Sequence, residues 1–185
     1  MKNLNGVILC GGKSSRLGFD KLSLRKEGIP IHLWWKNLLT NLCDSFYFLT
    51  NHDLQKKYDL QPFLLDSIIN LGPLGGIESM INVDRSKAIL VVAVDLVYVK
   101  NKDLEYLIQN RNTEKMATVF MDSSHQLYPL CAIIEPGLFE VILNNYKTET
   151  RSLKAILLNS DIQVLQRNVD LRGINTPEDY SEYIN

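Results

Sequence analysis

Short runs of apolar and β-branched residues alternate along the chain with segments in which apolar residues recur every three or four positions. The short runs predict β-strands, and the longer segments predict α-helices. The predicted strands are Gly6–Cys10, Ser45–Thr50, Pro62–Asp66, Ala88–Val94, Met116–Met121, Leu127–Ile134 and Ile162–Leu165. The predicted helices are Ile31–Leu42, Asp53–Leu60, Pro73–Val83, Asn101–Arg111, Pro136–Tyr146, Ser152–Asn159 and Pro177–Ile184.

Strands separated by helices are typical of βαβ units, in which parallel strands form a sheet covered by helices on both faces. The continuous apolarity of Gly6–Cys10 and Ala88–Val94 fits strands that are buried on both sides. The pattern therefore predicts an α/β fold, a Rossmann-like three-layer arrangement with a mostly parallel sheet. No internal repeat or linker interrupts the 185 residues, so we expect residues 1–185 to form one domain.

The most hydrophobic run, Lys87–Lys100, contains a single carboxylate, Asp95, among eleven apolar or aromatic residues. A buried charge without a partner costs several kcal/mol or more, so such a group is normally paired or bound to a metal. In α/β sheets ligands bind beyond the carboxyl ends of the strands, and Asp95 lies where a predicted strand ends. It is therefore a candidate for the edge of a binding cleft. A helix cap or a simple pair with a lysine is the alternative interpretation.

The segment LCGGKSSRLGFDK, Leu9–Lys21, follows the first predicted strand and combines three glycines with three cations. Glycines allow close approach of a ligand to the backbone, and amide donors beside cations favour a triphosphate. The segment does not fit the P-loop, which would need glycine at Val7, and its adjacent glycines give no register for G-x-G-x-x-G. An ordinary glycine-rich turn with solvated charges is the alternative.

This segment resembles the L-x-G-G-x-S-x-R-x-G-x-D-K motif of nucleotidyltransferases that act on sugar phosphates and cofactors. More closely, the chain is similar to the molybdenum cofactor guanylyltransferase family. The similarity continues through Gly72–Ile77, which contains GPLGG, then Asp95, Tyr128–Ile134 and Ile174–Tyr180, so it spans nearly the whole chain.

The resemblance implies transfer of GMP from Mg-GTP to the terminal phosphate of molybdopterin, with or without its molybdenum, and release of pyrophosphate. Asp95 would hold Mg²⁺, with Mn²⁺ as an alternative ion, and Arg16 and Lys21 would offset the charge of the triphosphate. These three residues are the catalytic residues that the resemblance implies. The implied nucleotide-binding residues are Leu9, Cys10, Gly11, Gly12, Lys21, Asn51, Asp66, Gly75 and Asp95. Asn175, in the stretch INTPEDY, would face the acceptor.

Two stretches depart from the family's pattern. Leu96 and Val97 follow Asp95 where the family has a small residue and proline, so the metal-binding loop is expected to differ in shape. Gly173 stands at the first asparagine of the family's N-x-N-T-P, so one acceptor contact is expected to be missing. The expected partners are GTP, molybdopterin and, transiently, other cofactor-assembly proteins.

Composition and charge disfavour several other classes of protein. A net charge of −1 does not indicate nucleic-acid binding, and no segment predicts a membrane helix or a secretory signal. Three separated cysteines indicate reduced thiols in the cytoplasm, and three scattered histidines indicate no zinc site. The alternative functions are a cytidylyltransferase that acts on molybdopterin or another phosphorylated acceptor, a GTP-binding assembly partner without catalysis, and a sugar-1-phosphate guanylyltransferase.

Overall fold

The computed structural model describes residues 3–11, 17–65, 72–145 and 152–184, and in these ranges the chain forms nine strands and seven α-helices. The strands are β1 Leu4–Leu9, β2 Arg25–Lys26, β3 Ile29–Pro30, β4 Ser45–Thr50, β5 Phe63–Leu65, β6 Ala88–Ala93, β7 Ala117–Met121, β8 Leu127–Ile134 and β9 Ile162–Gln166. The helices are α1 Ile31–Leu42, α2 His52–Tyr58, α3 Pro73–Val83, α4 Asn101–Gln109, α5 Phe139–Asn145, α6 Leu153–Leu158 and α7 Pro177–Ile184. Short 3₁₀ turns lie at Lys21–Ser23 and Pro136–Leu138.

Seven of these strands form one sheet in the order β5-β4-β1-β6-β8-β7-β9. β1 is parallel to both of its neighbours, β4 and β6, and the pairs β4–β5 and β7–β9 are also parallel. β8 runs antiparallel to β6 and β7, because the short loop 122–126 joins it to β7 as a hairpin. The prediction of a mostly parallel sheet is confirmed.

Alternate residues of the central strands pack on opposite faces of the sheet. In β1, Leu4 and Ile8 belong to a core shared with α1 and α4, whereas Val7 and Leu9 belong to a core shared with α3, α5 and α6. Every residue of β1 and β6 is buried, as their continuous apolarity predicts. Each aliphatic side chain buried in this way contributes about 1.5–3 kcal/mol. Helices therefore cover both faces, which confirms the three-layer arrangement.

Most predicted elements differ from the observed ones by one or two residues at an end, and larger or better-defined differences at two helices have local causes. Helix α2 begins at His52 because the Asn51 side chain accepts a hydrogen bond from the Leu54 amide at 2.9 Å. It ends at Tyr58 because Asp59 adopts a left-handed conformation with φ 47°. The predicted helix Pro136–Tyr146 begins as a 3₁₀ turn and becomes α-helical at Phe139.

A small antiparallel hairpin, β2–β3, is not revealed by the hydrophobic pattern. Its two turn residues, Glu27 and Gly28, both have positive φ values, 53° and 80°. Two-residue hairpin turns of this kind match the natural twist of paired strands. Each strand has only two residues, which is too short for an alternating pattern to be recognised.

The carboxyl ends of β1 and β6 lie side by side where the strand order reverses. From β1 the chain continues to β4 and β5 on one side of the sheet and then crosses to β6 on the other. Leu9 pairs with Ala93, and the Val94 amide donates to the Leu9 carbonyl oxygen at 3.1 Å. The glycine-rich loop after β1 therefore begins beside Asp95, at the position where α/β sheets bind ligands.

The three cysteines are buried as thiols rather than joined in disulfides, as predicted. Burial raises the pKa of Cys131 to about 12. In the part of the chain that the structure describes, no helix has the length and apolarity needed to span a membrane.

Lys26, in β2, is a buried cation with 7% of its surface exposed. Its ammonium group donates to the carbonyl oxygens of Val97 and Val99 and lies 4.2 Å from the centre of the Trp34 ring. Burial lowers the pKa of Lys26 to about 8 from its ordinary 10.5. The folded chain therefore releases this proton at a lower pH than the unfolded chain does.

We expect the stability difference between the wild type and Lys26→Met to depend on pH. Below about pH 8 Lys26 is charged in both the folded and the unfolded state, so the difference is constant. Between about pH 8 and pH 10.5 the unfolded chain keeps a proton that the folded chain has lost, so the wild type gains stability relative to the variant. The gain should reach at most about 3 kcal/mol. Urea unfolding of both proteins across this range measures it, and a difference that is constant or falls contradicts the lowered pKa.

Candidate active site

A cavity of about 1050 Å³ opens at the carboxyl ends of β1, β4 and β6. Its volume is at the upper end of the range for small-molecule sites and is large enough for a nucleotide together with a second substrate. The residues that line it come from the ends of these strands, from β8 and from the segment before α7. They include Leu9, Gly11, Lys21, Thr50, Asn51, Gly72, Pro73, Asp95, Tyr128, Leu171, Gly173 and Asn175.

Asp95 is buried at the edge of this cavity, with 8% of its surface exposed. Lys21 forms an ion pair with the Oδ2 atom of Asp95, and its Nζ also donates to Oδ1 of Asn175 at 2.7 Å. The carboxylate in the hydrophobic run is therefore neutralised by a lysine from the glycine-rich segment. Three residues that lie far apart in the sequence, and that the resemblance assigns to one site, meet at this point.

The turn after β6 fixes the position of Asp95 through its backbone. The Asp95 carbonyl oxygen accepts hydrogen bonds from the amides of Val97 at 2.8 Å and Ile174 at 3.3 Å. The indole N–H of Trp35, in α1, donates to the Val94 carbonyl oxygen at 3.0 Å. Leu96 and Val97 are both buried, so hydrophobic packing also holds the turn.

Helix α2 holds the residue before Lys21. The Asp20 carboxylate accepts hydrogen bonds from Nζ of Lys57 and from the Tyr58 hydroxyl, the latter at 3.2 Å. The hydrogen bond from Lys57, followed by that from Tyr58, lowers the pKa of Asp20, although desolvation opposes the shift. Lys21 begins the 3₁₀ turn Lys21–Ser23, so the anchored Asp20 fixes the direction from which Lys21 approaches Asp95.

The start of α7 holds Asn175. The Asp179 carboxylate accepts hydrogen bonds from the amides of Asn175 at 2.8 Å and Thr176 at 2.9 Å, while the Asp179 amide donates to the Thr176 hydroxyl. The two amide hydrogen bonds lower the pKa of Asp179. The NTPED stretch is therefore a helix-capping structure that presents the Asn175 side chain to Lys21.

Gly173 leaves the space that the Asp95 carboxylate occupies. A Cβ atom at position 173 would lie 3.0 Å from Oδ2, 3.1 Å from Cγ and 3.3 Å from Oδ1 of Asp95. Distances this short would force the carboxylate to move by a few tenths of an ångström. From the sequence, Gly173 is identified only as the site of a missing acceptor contact. Its packing role could not be read from the sequence, because nothing there shows that the segment before α7 covers the end of β6.

The structure brings together most, though not all, of the described site residues that the sequence predicts. Those that line the cavity are Leu9, Gly11, Lys21, Asn51, Asp95 and Asn175. Cys10 instead borders a smaller adjoining cavity of about 230 Å³, and Gly75 is buried within α3, whose first residues, Gly72 and Pro73, line the main cavity. Gly12, Arg16 and Asp66 lie outside the described residues. The side-chain oxygen of Asn51 accepts the capping hydrogen bond of α2, so this residue also has a structural role.

Strand β8 forms one wall of the cavity. None of its residues is among the site residues that the sequence predicts. Tyr128 lines this wall, and its hydroxyl donates to Oδ2 of Asp122 at 2.8 Å. Hydrogen bonds from Ser124, Gln126 and Tyr128 lower the pKa of Asp122 to about 2. The hydrophobic pattern predicts the strand β8 but not the order of the strands, so it does not show that β8 lies beside β6.

The Asp95 carboxylate can be one ligand of a divalent metal ion whose other ligands come from a bound substrate and water. Within the described ranges no group of three or more histidine, cysteine, aspartate or glutamate side chains could hold a metal ion. Two aspartates line the cavity, the exposed Asp53 and the buried Asp95. Divalent ions such as Mg²⁺ keep several water ligands and are commonly bound by one or two carboxylates together with substrate phosphates, so Asp95 is a suitable ligand for such an ion at this cavity.

Residues 6–164 match the family described as the MobA-like NTP transferase domain. The chain belongs to this family. MobA-like nucleotidyltransferases use a divalent metal ion, which agrees with the carboxylate at the cavity.

Curated relatives cover nearly the whole chain at modest identity. A probable molybdenum cofactor guanylyltransferase of Flavobacterium johnsoniae is 24% identical, over 98% of this chain and 97% of its own length. The molybdenum cofactor guanylyltransferase of Pseudomonas paraeruginosa is 28% identical, over 93% of this chain and 90% of its own length. The molybdenum cofactor biosynthesis bifunctional protein of Synechocystis is 27% identical over 97% of this chain, but the chain spans only 53% of that longer protein.

Among solved structures, the molybdopterin-guanine dinucleotide biosynthesis protein A of Archaeoglobus fulgidus superposes with a TM-score of 0.78. The match covers 96% of this chain and 95% of the other at 18% identity. At this identity the likeness establishes the fold, which is that of the nucleotide-diphospho-sugar transferases.

Gly173→Ala should weaken binding of a magnesium nucleoside triphosphate, because the added methyl group displaces the Asp95 carboxylate. Changes in the groups that orient a metal ligand typically cost about 10- to 100-fold in metal affinity, so we expect a loss of about tenfold or more. Calorimetric titration of the magnesium nucleotide measures the change. Gly137→Ala is a matched control, since a Cβ at Gly137 has nothing within 4 Å. Equal affinities in the two variants would contradict the role assigned to Gly173.

Proposed function

We propose that the chain transfers the GMP moiety of GTP to the terminal phosphate of molybdopterin, forming molybdopterin guanine dinucleotide and pyrophosphate. The observation that carries this proposal is the meeting of Lys21, Asp95 and Asn175 at one cavity in a MobA-like NTP transferase domain. The names of the relatives from Flavobacterium johnsoniae and Pseudomonas paraeruginosa, which align over almost the full chain, support GTP and molybdopterin as the substrates.

The reaction is an in-line displacement at the α-phosphorus of GTP. An oxygen of the molybdopterin phosphate supplies the electron pair for the new P–O bond, and the bond to the β-phosphate breaks, so that pyrophosphate leaves with that bond's electrons. No protein nucleophile is needed. The chain contributes positioning and neutralisation of charge, which account for most of the catalysis in phosphoryl transfer.

Asp95 would hold Mg²⁺, the ion that we propose for this family member, and Mn²⁺ would replace it in experiments. When bound, the ion supplies positive charge to the phosphate oxygens. A carboxylate that held the ion would no longer need the charge of Lys21. Asp95 is therefore neutralised both with and without nucleotide, which the cost of an unpaired buried charge requires.

Lys21 would then carry its charge to the triphosphate. In the described structure its ammonium group lies between Asp95 and Asn175. In a magnesium nucleotide, Mg²⁺ is a cation for Asp95 and the triphosphate is an anion for Lys21. The ion pair between Lys21 and Asp95 can therefore separate while each group keeps a partner of opposite charge. Arg16 is proposed to assist at the same phosphates, since its guanidinium group can bind them with two hydrogen bonds.

Asn175 would contact the acceptor. It lines the cavity together with Leu171 and Gly173. Backbone groups of Leu9, Cys10 and Gly11 are proposed to line the guanine and ribose side, and Asp66 is proposed to accept hydrogen bonds from guanine or ribose. Lys21 links the proposed nucleotide and acceptor sides of the cavity, because it contacts Asp95 on the first and Asn175 on the second.

The biological setting is also a proposal. The Synechocystis relative is named a bifunctional protein of molybdenum cofactor biosynthesis, which supports placing this chain in that process. We propose that it works in the cytoplasm, where the three buried thiols stay reduced, and that it contacts other proteins of cofactor assembly transiently.

The purified chain should release pyrophosphate from GTP when Mg²⁺ and molybdopterin are present. Asp95→Asn should lower the rate by about 10²-fold or more, because the substituted amide binds a divalent ion poorly. Pyrophosphate release and formation of the dinucleotide measure the reaction. Asp161→Asn is the matched control, because the Asp161 side chain is 67% exposed and lies at the start of β9.

Three results would contradict parts of the proposal. Release from CTP alone would identify a cytidylyltransferase. GTP binding without turnover, at an affinity that Asp95→Asn does not change, would identify a GTP-binding partner without catalysis. An Asp95→Asn rate equal to that of Asp161→Asn would remove Asp95 from the reaction.

A further inference from the structure

We propose that Lys26 is a positioning residue for Asp95, because its ammonium group fixes the turn that carries the carboxylate. This inference rests on the proposed function, since the position of Asp95 matters to the reaction only if Asp95 takes part in it. Lys26 contacts backbone atoms of the turn rather than the carboxylate itself.

The ammonium group of Lys26 holds the turn at two points. It donates to the carbonyl oxygens of Val97 and Val99, which follow Asp95 by two and four residues. The Val97 amide donates in turn to the Asp95 carbonyl oxygen at 2.8 Å. Val97 is therefore held at both of its backbone groups, at the amide by Asp95 and at the carbonyl oxygen by Lys26. Leu96 and Val97 lack the fixed φ of a proline, so the shape of this turn depends on such external hydrogen bonds.

Stability alone gives little reason to bury a lysine at this position. An ammonium group that leaves water loses hydration, and the lowered pKa of Lys26 reflects that cost. Among the described residues its close partners are two carbonyl oxygens and the Trp34 ring. The neighbouring carboxylate of Glu27 accepts from the Trp34 indole instead, at 3.3 Å. An apolar side chain of similar length would pack here without this penalty, so the charge serves the geometry of the turn.

The β2–β3 hairpin provides a fixed base for this contact. The Arg25 guanidinium donates to the Gly28 carbonyl oxygen across the turn, at 2.8 Å from Nη2, and the Tyr183 hydroxyl of α7 donates to the Arg25 carbonyl oxygen at 2.8 Å. One short segment thus provides both Lys21, which contacts the Asp95 carboxylate, and Lys26, which contacts the backbone beyond it. The hairpin explains how two lysines five residues apart in sequence reach the same turn.

The test compares Lys26→Met with the wild type by kinetics and by hydrogen exchange. The variant should need about tenfold more Mg²⁺ for half-maximal GMP transfer, while its KM for molybdopterin stays within about twofold. Amide exchange should speed up in residues 94–99 and remain unchanged in β1 and β4. Lys36→Met, at an exposed position of α1, is the matched control and should leave both measurements unchanged.

Each other outcome bears on one of the two claims. Unchanged Mg²⁺ dependence together with unchanged exchange in residues 94–99 would overturn the positioning role. If the wild type transfers no nucleotide, the proposed function fails, and exchange in residues 94–99 still decides whether Lys26 fixes the turn. If Lys26→Met does not fold, Lys26→Gln, which keeps N–H donors on a shorter side chain, replaces it. Faster exchange confined to the turn supports the proposal, and faster exchange throughout the sheet overturns it.

Discussion

The ion pair between Lys21 and Asp95 is the interaction around which the site is arranged. A carboxylate with 8% exposure needs a cation, and the chain provides one from the segment that follows β1. This pairing compensates the charge of the Asp95 carboxylate. Because the same lysine contacts Asn175, it also links the end of β6 to the start of α7. The site therefore joins three distant parts of the sequence through a single ammonium group.

The sheet topology makes this meeting possible. β1 and β6 are adjacent and parallel, so their carboxyl ends open on the same edge of the sheet. The strand order reverses between them, and α/β sheets bind ligands in the crevice at such a position. Separate hydrogen bonds hold each polar group around it. Helix α2 binds Asp20, and the cap of α7 binds the backbone of Asn175. Trp35 and Lys26 bind the backbone of the turn that carries Asp95.

The sequence predicts the sheet and helices well because their signals are local and repeated. Continuous apolarity marks β1 and β6, three- and four-residue spacing marks α1, and the glycine-rich segment with Asp95 marks the site. The contributions of Gly173, Lys26 and β8 could not be predicted in this way. Gly173 leaves room for the Asp95 carboxylate, which is distant in sequence. Lys26 donates hydrogen bonds to carbonyl oxygens of residues more than seventy positions away. Contacts of this kind depend on the order of the strands, which no local pattern specifies.

In the proposed reaction, Asp95 exchanges the ammonium group of Lys21 for a divalent ion when a nucleotide binds. A crystal structure with Mn²⁺ and a non-hydrolysable GTP analogue would test this exchange, since anomalous scattering locates the manganese. We expect manganese to be bound directly to an Asp95 carboxylate oxygen, with Nζ of Lys21 moved to about 3 Å from a phosphate oxygen. Manganese and nucleotide bound elsewhere, with Lys21 still paired to Asp95, would contradict it.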